Sequence, residues 1–293
     1  MPRASVNGIE LEYEVIGSGV PVVLVMGLGA QMVQWPDGFC AMLAERGYMV
    51  VRFDNRDIGL STWLDHLGVS NIRSTLLRGY TRLLPTQAPY TLSDMADDTV
   101  GLIDSLGLTG AHLVGVSMGG MIVQTMAIEH PSHVLSMVSI MSSPGNRRYV
   151  AKPHALRALI EPPPREREAQ IEALVEKFRL FNGPKLPFNA ELARQILTQC
   201  YERGFHPAGF TRQFAAIIAS GSRSRALRSV RCPTTIIHGT EDALVPPAAG
   251  AATARAIPNA RLQWIEGMGH SLPQVCWSIM VDAIDDNIRR ASP

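Results

Sequence analysis

Gly115-Val116-Ser117-Met118-Gly119 stands between an unbroken apolar run, His112-Leu113-Val114-Gly115-Val116, and a helical stretch, Met121-Ile122-Val123-Gln124-Thr125-Met126-Ala127-Ile128. The run shows no polar alternation, so it reads as a strand covered on both faces. A serine at the sharp turn from such a strand into a helix lifts its hydroxyl above the sheet. Flanking glycines relieve the crowding that the bend creates. The helix N-terminus that follows directs unpaired N–H groups to the same spot and favours negative charge there. A G-x-S-x-G string alone is a weak signal; its setting between strand and helix gives it weight.

Similar apolar runs recur on both sides of this turn, at residues 21–26, 48–53, 134–140, 234–238 and 261–265. Residues 9–15 instead alternate apolar and acidic side chains, as a strand with one wet face does. Helical segments separate the runs. One opens at Thr91-Leu92-Ser93-Asp94, an N-terminal capping pattern, carries Met95, Val100, Ile103 and Leu106, and stops at Gly107. Alternating strands and helices imply parallel pairing through right-handed crossovers, with ligands held at the carboxyl ends of the strands. After Met141 the rhythm breaks until about residue 229. Pro162-Pro163-Pro164 interrupts the chain, and Ile171, Leu174, Val175 and Phe178 fall at i, i+3, i+4 and i+7. The expected fold is therefore α/β, with residues 1–141 and 230–293 forming a mostly parallel sheet domain and residues 142–229 inserted as a helical cap. Residues 62–89 read as a long connection that adds a second flap near the pocket mouth.

Composition narrows the class. With 46% hydrophobic residues, 18% charged residues and a net charge of +1, the chain can bury a core, and no global field recruits nucleic acid or an anionic membrane. Cys40, Cys200, Cys232 and Cys276 are far apart with no C-x-x-C pair, which reads as free thiols rather than a zinc site or disulfide framework. The first eight residues lack the apolar stretch of a signal peptide, and the longest apolar run, 20–33, is broken by Pro21, Gly27 and Gly29. A cytoplasmic protein without an integral membrane segment is expected. Nothing in the sequence sets an oligomeric state.

A serine hydroxyl becomes a good nucleophile only when a base takes its proton, and that base needs an orienting acid. His238-Gly239-Thr240-Glu241-Asp242 leaves one buried strand, and Gly267-Met268-Gly269-His270 leaves the next. The 28 positions from Asp242 to His270 hold one loop, one helix and one strand, a single crossover unit. Ser117, Asp242 and His270 would thus meet at the carboxyl edges of neighbouring strands. Other readings stay open. Asp242 suits the N-terminus of a helix near Pro246, Glu241 is its rival, and His238 reads as structural at a strand end. The remaining histidines show no metal-ligand spacing.

On these residues the chain resembles the α/β-hydrolase fold serine hydrolases over nearly its whole length. Ser117 matches the nucleophile elbow, Asp242 the strand-end acid and His270 the glycine-flanked terminal histidine. The resemblance implies an eight-stranded sheet with an inserted cap and no metal or organic cofactor. It also implies an oxyanion hole built from the backbone N–H groups of Leu28 and Met118. Val25-Met26-Gly27-Leu28-Gly29 would supply the first of these donors, although many relatives have histidine where this chain has Met26. Asp54-Asn55-Arg56-Asp57-Ile58-Gly59-Leu60-Ser61 is similar to the family's structural loop, though relatives often have glycine at position 57. Together these stretches look closest to the aclacinomycin methylesterase-like carboxylesterases. Family members that attack through aspartate are dehalogenases or epoxide hydrolases; a serine nucleophile implies acyl transfer, here hydrolysis of a small or medium apolar ester. C–C bond hydrolysis or perhydrolysis on the same triad, and a non-catalytic small-molecule receptor, are the alternatives.

Gly27, Gly29, Trp35 and Met141 are the expected substrate-binding residues. Met26, Met32, Met118, Met121, Met141 and Met268 cluster around the motifs, either as adaptable core filler or as a pliable apolar pocket. Residues 142–229 hold 15 Lys and Arg against 7 Glu and no Asp, a balance of +8 against −7 for the remainder. Solvated helix faces account for this, or else a basic cap steers anionic substrates or docks on an acidic partner.

Overall fold

The computed structural model describes residues 2–81, 87–162 and 164–291. Eight strands form one sheet: β1 (Arg3–Val6), β2 (Ile9–Ile16), β3 (Val20–Val25), β4 (Tyr48–Phe53), β5 (Ala111–Val116), β6 (Val134–Ile140), β7 (Thr234–Gly239) and β8 (Arg261–Ile265). Their spatial order is β1-β2-β4-β3-β5-β6-β7-β8. β1 pairs antiparallel with β2 and β2 with β4, and every later pairing is parallel. The hairpin between β1 and β2 turns on Asn7 (φ 46°) and Gly8 (φ 77°). These residue types accept the two left-handed conformations that a two-residue turn between twisted strands requires.

Ten α-helices accompany the sheet among the described residues: α1 (Asp37–Ala44), α2 (Ile72–Thr81), α3 (Leu92–Ser105), α4 (Met118–Glu129), α5 (Pro153–Ile160), α6 (Arg167–Asn182), α7 (Ala190–Arg203), α8 (Pro207–Ser220), α9 (Pro247–Ala256) and α10 (Trp277–Arg289). Successive strand residues point to opposite faces, and the two cores follow that parity. Val23, Val25 and Leu113 pack on one face against Leu102 and Ile103 of α3 and Ile122 of α4. Val22, Leu24 and Val114 pack on the other against Phe39 and Leu43 of α1 and Met280 and Ile284 of α10. Both faces are covered, which is why these strands lack polar alternation. Thr91 caps α3 reciprocally: its Oγ1 accepts from the Asp94 N–H at 3.4 Å, and its own N–H donates to Asp94 Oδ2 at 2.7 Å.

Between β6 and β7 lie α5, α6, α7 and α8. Ile171 and Val175 of α6 meet Leu197 of α7 in a small core of their own. A buried ion pair ties α8 to the loop after β4. Arg212, fully buried, grips Asp57 with Nε to Oδ2 at 2.8 Å and Nη2 to Oδ1 at 2.7 Å. Asp57 also accepts from Tyr90 Oη at 2.8 Å and the Leu64 N–H at 2.7 Å. Burial opposes its ionisation, but the Arg212 guanidinium and these donors hold its carboxyl below the ordinary range. Asp57 adopts φ 72°, a conformation that suits glycine, at a cost of about 1–2 kcal/mol. The departure from glycine at this position supplies the anion that Arg212 needs. The expected connection over residues 62–89 contains α2, which packs on α8. Positions 82–86 of the expected second flap lie outside the described residues.

β3 is flanked by β4 on one side and β5 on the other, so the chain reverses its direction of travel across the sheet there. The crevice at that switch point, above the carboxyl ends of the strands, is where such sheets hold ligands.

Arg212→Ala strands a buried carboxylate and is expected to cost about 3–5 kcal/mol of unfolding free energy in denaturant titration. Arg212→Met with Asp57→Gly removes both charges and should recover most of it. His112, 4% exposed and bonded through Nδ1 to Ser136 Oγ at 2.8 Å, has its pKa lowered by burial from 6.5 to about 4. The unfolded chain therefore binds a proton first, and the stability His112 contributes is lost as pH falls from about 6.5 toward 4. Tm over that window should fall more steeply in the wild type than in His112→Asn.

Candidate active site

Ser117 joins the end of β5 to the start of α4 with φ 54° and ψ −115°, a strained conformation for a residue with a side chain. Its N–H donates to Ile140 O at 2.9 Å, and its carbonyl accepts from Ser142 Oγ at 2.7 Å. The neighbours are small by necessity. A Cβ on Gly115 would stand 2.2 Å from Gly119 O, and one on Gly119 would stand 2.0 Å from Val25 O. The turn can therefore pack this tightly against the end of β3 only with glycine at both places.

His270 bridges the two other candidate residues. Its Nε2 lies 3.0 Å from Ser117 Oγ and its Nδ1 lies 2.8 Å from Asp242 Oδ2. A carboxylate only accepts, so Nδ1 carries the proton and Nε2 is left to accept from the serine hydroxyl. Asp242 is 1% exposed. Burial works against its ionisation, but the charge and hydrogen bond of His270, together with His238, outweigh burial and hold its carboxyl well below the ordinary range. Its Oδ1 also accepts from the N–H groups of Leu244 at 2.9 Å and Val245 at 2.8 Å. Asp242 thus orders the turn before α9 and faces the imidazole at once, so the two readings of this residue are not exclusive. Glu241 points away, toward Lys185 Nζ at 2.6 Å.

Two supports go unread in the motifs. His238, fully buried, donates from Nε2 to Val245 O at 2.9 Å and places the same nitrogen 3.4 Å from Asp242 Oδ2. The second is the inserted segment, which holds the His270 loop from above. Gly269 N–H donates to Asn182 O at 3.1 Å, His270 N–H to Phe181 O at 2.6 Å, and Ser271 Oγ to Asn182 Oδ1 at 3.1 Å.

The loop after β3 passes directly over the serine: a Cβ on Gly27 would stand 3.2 Å from Ser117 Cβ. Asn55 Nδ2 secures this loop by donating to Met26 O at 3.0 Å. Gln213 of α8 accepts from the Gly29 N–H at 2.9 Å and donates to Arg56 O at 2.8 Å. Two buried side-chain amides, Asn55 and Gln213, therefore support a loop whose Met26 side chain offers no hydrogen bond. Met118 is the first residue of α4, so its N–H has no partner one turn back.

Ser117 and His270 open into a cavity of about 720 Å³. Gly27, Leu28 and Met141 stand in its wall, as do Met26 and Met121, and α2 contributes Leu76 and Gly79. Phe178 of α6, Phe188 of the connection between α6 and α7, and Phe214 of α8 make much of the remainder apolar. Two expected substrate-binding residues are corrected. Trp35 is fully buried in the core below, stacked on Phe39 at 5.6 Å and outside the cavity wall. Gly29 also stands outside it, facing Phe210, with a Cβ position only 2.6 Å from that ring. Met32, Met118 and Met268 are core residues.

Comparison with known proteins bears on this geometry. Residues 20–273 match the family model described as the alpha/beta hydrolase fold. A rhodomycin D methylesterase of Streptomyces peucetius is 26% identical, with the whole of both chains covered, in line with the methylesterase-like resemblance. A pimeloyl-[acyl-carrier protein] methyl ester esterase of Chromobacterium violaceum is 28% identical over 55% of this chain and 63% of its own. Among solved structures, a meta-cleavage product hydrolase from Pseudomonas fluorescens superposes with a TM-score of 0.77 at 22% identity, covering 100% of this chain and 98% of that one.

A hydrogen-bonded imidazole should make Ser117 unusually reactive toward a fluorophosphonate. Peptide mass analysis is expected to find the adduct on Ser117, with labelling slowed about 10⁴-fold in Asp242→Asn, where the imidazole loses its fixed tautomer.

Proposed function

The chain belongs to the alpha/beta hydrolase fold family, and from that premise we propose that it hydrolyses carboxylic esters through an acyl-enzyme on Ser117, His270 and Asp242. The observation that carries this reading is the relay of 2.8 Å and 3.0 Å contacts ending on a strained serine in the cavity wall. Full-length similarity to a rhodomycin D methylesterase supports the same reaction type.

In this reading Ser117 Oγ attacks the ester carbonyl carbon while His270 Nε2 takes its proton. The carbonyl oxygen becomes an alkoxide beside the N–H groups of Leu28 and Met118, each worth about 3 kcal/mol in the barrier. Collapse breaks the bond to the alcohol oxygen, which leaves with the proton held by His270. Water then enters, gives a proton to His270, attacks the acyl carbon, and the returning proton restores the Ser117 hydroxyl as the acid departs. Asp242 remains ionised throughout and balances the imidazolium. Residues 142–229 act as the cap in this scheme, with residues 1–141 and 230–293 as the catalytic domain. A largely apolar cavity of about 720 Å³ suits small or medium acyl chains.

Ser117→Ala is expected to lower kcat by about 10⁵–10⁶-fold on p-nitrophenyl and methyl esters while leaving Tm within a few degrees of the wild type. Product analysis should show one acid and one alcohol per turnover. Full activity in Ser117→Ala, or carbon–carbon cleavage products with no ester turnover, contradicts the reading.

A further inference from the structure

Arg147 and Arg148 stand in the wall of the cavity that holds Ser117 and His270, on the segment that leaves β6 past Met141. Among the described residues no Asp, Glu or Lys shares that wall. Among the described residues Arg147 makes no hydrogen bond or ion pair, and the partner of Arg148 is neutral: its Nη2 donates to Tyr149 Oη at 2.5 Å, with the guanidinium 4.8 Å from that ring. A third guanidinium lies behind the same wall. Arg223, 7% exposed, donates to Ser143 O at 3.0 Å and to Gln124 Oε1 at 3.3 Å, and its Nη1 has no protein partner. Ser143 is itself a wall residue. Glu129 is the carboxylate that acts on Arg223, but it makes no ion pair with it and instead accepts from Ser93 Oγ.

Arg147 and Arg148 are exposed to solvent at the edge of the cavity, so water screens them in part, but the apolar walls on the cavity side screen them less and leave a positive potential there. Much of the rest of the wall, Phe178, Phe188 and Phe214 among it, favours hydrocarbon. The cavity is therefore two-sided: apolar along its length and cationic at Arg147 and Arg148. We infer that Arg147 and Arg148 form an anion subsite, and that the preferred substrates are esters whose acyl chain ends in a second, ionised carboxylate. This rests on the ester-hydrolysis reading and names its substrate class. It also locates a use for part of the positive balance of residues 142–229.

Matched pairs test this: the monomethyl and dimethyl esters of adipic, suberic and sebacic acids, which differ at the far end only in charge. The wild type is expected to favour the monoester in kcat/KM, mainly through KM, at one chain length of the three. The ratio of monoester to diester kcat/KM should fall about tenfold in Arg147→Ala/Arg148→Ala, as losing two partly screened ion pairs implies. It should invert in Arg147→Glu/Arg148→Glu. Raising ionic strength from about 20 to 300 mM should erode the wild-type ratio, because the Debye length shortens from about 20 to 6 Å. Calorimetric titration of Ser117→Ala with the same pairs reads binding without turnover, comparing Ser117→Ala with and without the two arginine substitutions. A ratio unchanged by the arginine substitutions in both assays overturns the subsite. Hydrolysis of neither ester, with selective arginine-dependent binding of the monoester, keeps the subsite and removes the ester reading.

Discussion

A carboxylate with 1% of its surface exposed stays ionised only if its surroundings replace the water it has lost. Around Asp242 they do: two backbone N–H groups reach one oxygen, while the imidazoles of His270 and His238 approach the other. That buried negative charge fixes which nitrogen of His270 bears the proton, and so leaves the other free to draw on Ser117. Remove the charge and the same three side chains would still be adjacent, but the imidazole could rotate or hold the wrong tautomer. The arrangement depends on a strand end that delivers Asp242 to the site and on a glycine-flanked turn that delivers His270.

The helices between β6 and β7 do more than roof the cavity. α6 ends on Asn182, whose carbonyl and amide oxygens hold the His270 loop, and α8 reaches the loop over Ser117 through Gln213. Arg212, one residue earlier, clamps Asp57 in the loop after β4. Displacing the helices between β6 and β7 would thus disturb both the His270 loop and the loop above Ser117. The helices that line the cavity are hydrogen-bonded to both loops that meet at Ser117 and His270.

Much of this was legible in the sequence because its signals are local. Buried strands announce themselves by lost alternation, the elbow by its glycines, and α3 by the Thr91–Asp94 pair. Some local signals went unread: Asn7-Gly8 marks the β1–β2 turn, and Asn71, whose Oδ1 accepts from the Ser74 N–H at 3.0 Å, marks the start of α2. The spacing of His238 and Asp242 by four residues likewise foreshadows their contact. Other features were hidden because they join distant segments. Asp57 and Arg212 are 155 positions apart, and Gly29 and Gln213 are 184 apart, so no pattern within either segment reveals the partner. Trp35 misled for a related reason. A tryptophan just after the loop over Ser117 reads as a pocket wall, but the short turn at Met32–Gln34 rotates it into the core against Phe39.

The central claim is that an imidazole held by Asp242 converts Ser117 into an acyl carrier. Rapid mixing with a p-nitrophenyl ester measures this most directly, with the quenched protein read by peptide mass analysis. The account predicts a burst of about one p-nitrophenol per chain, accompanied by the acyl mass on the peptide containing Ser117. Steady turnover with neither burst nor adduct, unaltered when Ser117 is replaced by alanine, would contradict it.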